Sequence, residues 1–219
     1  MNNSMIQLIV LAGIAIFLIL KLRSVLGTRE GFEKPPVKPD DMRPRARTGF
    51  DVVNGGPDQD ITDHVADGSP AARALAAMKA AEPSFSVNTF LQGARGAYEM
   101  ILMAYEKGEL EKVRPFLSAD VEHSFEEAIR DREEQGLSVD AKFVGLRELV
   151  LQEATFDATT KTAEIVVKHV GELTSVVRNK AGEVIEGSAT EVKKQRDIWT
   201  YSRRMGVDDP NWQLVATGE

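Results

Sequence analysis

No cysteine occurs in the chain, so disulfides, thiol nucleophiles and thiolate metal sites are excluded. Histidine is scarce: His64, His123 and His169 are far apart and lack the spacing of a ligand set. No glycine-rich phosphate loop and no nucleophile motif is present. Catalytic, cofactor-binding and metal-ligating residues are therefore assigned to no position. A basic face is missing as well. The formal net charge is −7, divided as +4 over residues 21–47, −5 over residues 48–70 and −6 over residues 71–219. A nucleic-acid-binding domain would carry clustered positive charge, which argues against nucleic acid as a partner.

Charge of either sign is absent from Met1 to Leu20, and Ile6–Leu20 is apolar except for Gln7. Extended to Leu26, this run approaches the ~20 residues that cross a bilayer as a helix. Lys21 and Arg23 can snorkel to the interface. Residues 1–30 are thus expected to form a transmembrane anchor. The rival reading, a cleaved signal peptide, asks for a basic segment before the run and small residues after it. MNNSM and KLRSVLG supply neither. With Lys21, Arg23 and Arg29 all C-terminal to the span, the positive-inside rule places the N-terminus outside and the following domain in the cytoplasm.

Residues 31–70 are rich in proline and glycine and show no apolar periodicity. Such a segment cannot bury enough surface to offset its ordering entropy, so a disordered tether is expected. The basic stretch Met42–Arg47 reads either as a solvated linker or as a contact with anionic headgroups through Arg43, Arg45 and Arg47. Lys21 and Arg23 complete the anionic-lipid candidates.

Order is expected from Ala71. An alanine-rich helix runs from Pro70 to Pro83. Ser86 caps a second helix ending at Lys107, with Gly108 as the stop. Within it Phe90, Ala94, Ala97, Ile101 and Ala104 recur at helical spacing. Gly93 and Gly96 cost roughly 1 kcal/mol each in a helix interior, which predicts a closely packed neighbour. Ser118 caps a third helix to Gln135, with Val121, Phe125 and Ile129 as its buried stripe.

From Gly136 the period becomes that of strands: Ala141–Glu153 with a candidate bulge at Gly145, Lys161–Arg178, a turn at Asn179–Gly182, Val184–Tyr201 with a candidate break at Gly187, and Trp212–Thr217. Ala163, Ile165, Val167, His169, Gly171 and Leu173 share one face. Helices followed by a meander imply an α+β fold with helices on one face of an antiparallel sheet. Both tryptophans, Trp199 and Trp212, fall in the C-terminal hairpin, whose aromatic face the domain is expected to close over.

The ordered set FSVNTFLQGARGAYEMILMAYEKGELEKVRPFLS, EEQGL, NKAGEVIEG, DIWTYSR and DPNWQL resembles the C-terminal domain of the mitochondrial TIM forty-four-like domain family, over roughly residues 75–219. The resemblance implies a nuclear-transport-factor-2-like domain: helices across a curved antiparallel sheet with an apolar pocket between them. It also implies membrane location. The mitochondrial member binds cardiolipin-rich bilayers and couples an import channel to a chaperone. The N-terminal segment carrying those contacts is replaced here by the anchor and tether, so they do not transfer residue by residue.

The expected function is a non-catalytic scaffold or binding module at a bacterial inner membrane, in protein translocation, assembly or quality control. Its expected partners are anionic lipids and membrane-bound proteins, with a translocase or chaperone as candidates. Tyr98, Phe116, Phe143, Trp199, Tyr201 and Trp212 are the pocket candidates, each also a candidate for plain core. The alternative is a small-molecule enzyme of the same fold. For that reading His169 is the only histidine on a predicted strand, and Asp197 lies on a neighbouring one in a register the sequence leaves open.

Overall fold

The computed structural model describes residues 57–218. The expected anchor, most of the expected tether and the lipid candidates Lys21, Arg23, Arg43, Arg45 and Arg47 lie outside them. Among the described residues no helix is long and apolar enough to cross a membrane.

The elements run α1 (Gln59–Thr62), α2 (Pro70–Ala81), α3 (Val87–Lys107), two 3-10 turns (Leu110–Lys112 and Arg114–Phe116), α4 (Ala119–Glu134), β1 (Ser138–Asp157), β2 (Thr162–Arg178), β3 (Val184–Arg204) and β4 (Gln213–Gly218). The class is the expected one: α+β, with helices packed against a four-stranded antiparallel sheet in the order β1-β2-β3-β4.

Helix ends follow local chemistry. The Ser69, Ser86 and Ser118 hydroxyls accept from the main-chain N–H groups of Ala72, Thr89 and Val121, each satisfying an orphan donor of the first turn. Pro70 occupies the first helical position of α2, where its missing N–H costs nothing. The inward stripe of α3, including Phe90, Ala94, Tyr98 and Ile101, is buried in one core with Ile165, Val167, Trp199, Tyr201 and Leu214.

The sheet's inner face is the predicted one: Ala163, Ile165, Val167, His169, Gly171 and Leu173 are all buried. Register slips between Phe143 and Gly145, Leu146 and Glu148, and Leu151 and Glu153 place three irregularities in the twenty-residue β1. Bulges bend and twist a long strand, which lets β1 wrap α2 and α3. The predicted break in β3 is displaced. Gly187 is left-handed (φ 77°), and a Cβ there would lie 2.0 Å from the Ser175 carbonyl oxygen. The register itself slips just after it: Ser188 pairs with Ser175 and Lys193 with Leu173. The Ser188 hydroxyl gathers the loosened chain by accepting from the N–H groups of Thr190 and Glu191.

Residues 58–69, expected to be tether, are docked on the folded domain. Asp58 caps α1 by accepting from Asp60 N–H at 3.0 Å, and Ile61 is buried. The Asp60 carboxylate accepts from the N–H groups of Val87 (2.8 Å) and Asn88 (2.9 Å) and from the Ser86 hydroxyl (2.9 Å), and pairs with Lys79 at 2.8 Å. Burial acts to raise the Asp60 pKa, but Lys79, Asn88, Val87 and Ser86 together outweigh it and hold the carboxyl well below the usual range. A carboxylate on the exposed N–H groups of a helix start is favoured by the helix dipole. Proline and glycine dominate the composition here, yet buried Ile61, the packed Val65 and the carboxylates of Asp58 and Asp60, both paired with Lys79, dock these residues. A fragment beginning at residue 57 is therefore expected to melt above one beginning at residue 71. Asp60→Ala should cost about 2 kcal/mol in urea unfolding. Equal stability of the two fragments would contradict the correction.

Candidate binding groove and buried polar cluster

Beside α3, against the residues that lead into β4, lies a mostly apolar groove of about 730 Å³. Phe90, Gly93, Gly96, Ala97 and Met100 contribute from α3; Phe116, Tyr201 and Trp212 contribute from other elements. The Trp212 ring packs on Phe90 at 4.7 Å and on Phe85 at 6.0 Å. A Cβ built at Gly93 or Gly96 meets nothing within 4 Å. The closely packed neighbour expected at these glycines is absent; they face open groove.

The groove's charged lining is a single ion pair. Arg203 pairs with Glu82 while its Nη1 donates to the Pro210 carbonyl at 3.2 Å, and its guanidinium stands 5.4 Å from the centre of the Trp212 ring. Gly206 N–H donates to the other Glu82 oxygen at 2.9 Å. Burial works against ionisation of Glu82, yet the Gly206 N–H and Arg203 hold its pKa below the ordinary value. One charged pair thus fastens the β3–β4 connection to the end of α2 and sets the Trp212 ring in place. Arg203 Nε is buried without a partner.

Under α3 sits a polar cluster within the core. His169 and Asp197 are direct cross-strand partners on β2 and β3. The Tyr98 hydroxyl donates to Asp197 Oδ2 at 2.6 Å, and Gln195 Nε2 donates to Oδ1 at 3.1 Å. The His169 ring stacks on Tyr98 with centroids 4.5 Å apart and planes 9° apart, and its Nε2 lies 3.3 Å from the Tyr201 hydroxyl. Gly171 makes this geometry possible: a Cβ there would meet the Tyr98 oxygen at 2.7 Å. Burial pushes the Tyr98 hydroxyl well above its ordinary range, assisted by Asp197. Burial also pushes His169 down to about 4, so the ring is neutral at pH 7.

The six aromatic candidates therefore divide. Phe116, Tyr201 and Trp212 line the groove, and Trp199 lines a second cavity. Tyr98 is wholly buried, and the half-buried Phe143 packs against it at 6.1 Å. Trp212 is only half-buried, so it caps the groove rather than filling the core. Glu82, Arg203 and Met100 escaped the sequence reading. Gly93 and Gly96 had signalled themselves by their helical cost, though for a different reason. Among the described residues, no cluster of potential ligands is arranged to hold a metal ion.

The sequence matches the Tim44-like domain over residues 71–219. The chain belongs to the Tim44-like domain family. Asp58–Ser69, which carry the Asp60 anchor, precede the matched region. No curated protein matches the chain. Among solved structures, the intermembrane-space region of the chloroplast protein ARC6 aligns with 62% of this chain and 97% of its own, at 13% identity and a TM-score of 0.43.

The buried histidine gives a pH signature. An unfolded chain protonates His169 as pH falls through about 6.5, whereas the folded protein does so only near 4. The unfolded state then binds more protons in that window, so stability is full above it and declines as pH falls from 6.5 towards 4. Between pH 7 and pH 4.5 the wild type should lose about 2–3 kcal/mol more than His169→Phe, as read by urea unfolding. Parallel losses in the two proteins would show that His169 is not held neutral.

Proposed function

We propose that this Tim44-like chain is a non-catalytic binding module held at a bacterial inner membrane, and that the groove along α3 receives an apolar helical segment of a protein undergoing translocation, assembly or quality control there. The observation that carries this reading is the open glycine face. Gly93 and Gly96 each weaken α3 by roughly 1 kcal/mol relative to alanine, and no atom of the domain fills the space they leave. Small residues on a helix surface let a second helix backbone approach closely. Apolar walls at Phe90, Met100 and Trp212 supply the rest of such a contact.

The membrane part rests on the uncharged run Met1–Leu20 followed by Lys21 and Arg23. Its orientation places the N-terminus outside and the domain in the cytoplasm. Residues Arg43, Arg45 and Arg47 add attraction to anionic lipid, in a salt-dependent way. With Asp58–Ser69 docked on the domain, the remaining residues 31–56 would span on the order of 30 Å as a flexible chain. The domain then works within a few nanometres of the bilayer, where confinement raises its effective concentration for other membrane-bound proteins.

The enzyme reading needs an accessible base. His169, the strand histidine of that reading, is fully buried and neutral at pH 7.

A photo-crosslinking residue at Met100 of the full chain, activated in native membranes, is expected to capture a protein. Gly96→Leu fills the groove and should abolish the adduct while leaving the melting temperature unchanged or raised. No protein adduct, or one indifferent to Gly96→Leu, would overturn the groove as the binding site.

A further inference from the structure

The second cavity, of about 380 Å³, lies among α3, α4, β3 and β4, and Tyr105, Phe125, Trp199 and Asp197 all line it. Asp197 is 9% exposed and carries a carboxylate whose two hydrogen-bond donors, Tyr98 and Gln195, are both neutral. Among the described residues no lysine or arginine forms an ion pair with it. Arg147 pairs with Glu172, Lys168 with Glu148 and Arg203 with Glu82. Lys194 and Arg196 flank Asp197 in sequence, but strand alternation turns them to the opposite face of the sheet.

An ionised carboxylate has about four acceptor sites, and two are used here. An amide oxygen would serve Tyr98 equally well, so the fold alone does not account for the charge. Buried charges are ordinarily paired, because an unpaired one forfeits its hydration without return. The other walls suit a cation too. Aromatic faces attract ammonium and guanidinium groups, and the Tyr105 and Phe125 rings stand 4.7 Å apart, with Trp199 on the same cavity. Tyr105 already accommodates one cation: Arg132 lies over its ring at 5.8 Å and donates to its carbonyl at 3.2 Å.

We propose that this cavity binds an alkylammonium group, either the side chain of a lysine presented by a partner protein or a free amine. The ammonium pairs with the Asp197 carboxylate, and its methylene stem lies against Ile101, Leu102 and Phe125. The site is distinct from the groove along α3 and does not depend on what occupies that groove.

The test uses the full chain in detergent micelles with Trp212→Phe, so that Trp199 is the sole indole. Titration with n-butylammonium chloride should change Trp199 emission saturably, whereas n-butanol and sodium chloride at equal concentration should not. Asp197→Asn, which keeps an acceptor for Tyr98, should weaken the response at least ten-fold, with its melting curve recorded alongside. If that variant does not fold, the contrast between butylammonium and butanol on the parent protein decides. A response to N-acetyl-lysine methylamide as well points to a partner's lysine; a response to butylammonium alone points to a free amine. The proposal is overturned if butanol acts like butylammonium, if neither response saturates, or if folded Asp197→Asn binds undiminished.

Discussion

The domain depends on the hydrogen bond from the Tyr98 hydroxyl to Asp197, which joins the middle of α3 to β3. It exists because three other positions permit it. Gly171 leaves room for the phenol oxygen, His169 stacks flat on the ring, and Gln195 holds the second carboxylate oxygen. Hydrogen bonds to charged groups are worth more than neutral ones, and leaving a buried carboxylate unsatisfied is costly. This contact therefore fixes both the rotation and the height of α3 over the sheet. The aliphatic stripe of α3 would tolerate small slides; the Tyr98 contact does not.

Once α3 is locked by its inner face, its outer face is free to be something other than core. Gly93 and Gly96 then lie where a groove is needed. The Glu82–Arg203 pair completes the other side by pinning the β3–β4 connection and the Trp212 ring. At its N-terminus α3 is held by Asp60, so the residues that lead in from the N-terminal part of the chain attach to the helix that borders the groove. The groove thus lies along a helix fixed at both its inner face and its N-terminus, which favours a preformed cleft.

Much of this was legible in the sequence because it is local. The caps at Ser86 and Ser118, the stop at Gly108, the change from helical to strand period at Gly136 and the inner face of β2 all follow from near neighbours. The family was legible too, through an ordered set of motifs no one of which is specific. What escaped was non-local. Cross-strand register decides that His169 faces Asp197, and a sequence does not print register. Glu82 and Arg203 are separated by 121 positions and carry no mutual signal. The helical cost of Gly93 and Gly96 signals that something compensates, but not whether it lies inside the domain. The start of the ordered region does not show in composition, which averages over Asp58, Asp60, Ile61 and Val65, residues that dock it.

On the proposed function, the glycine face of α3 is open in the isolated protein and covered by a partner in the membrane. The chain has no cysteine, so a single introduced thiol reports without background. Gly96→Cys should react rapidly with a small maleimide in the purified full chain and become strongly protected in native membranes. Val150→Cys, on the exposed outer side of the sheet, should react alike in both settings. Equal reactivity of Gly96→Cys in purified protein and native membranes, with Val150→Cys unchanged, would contradict the account.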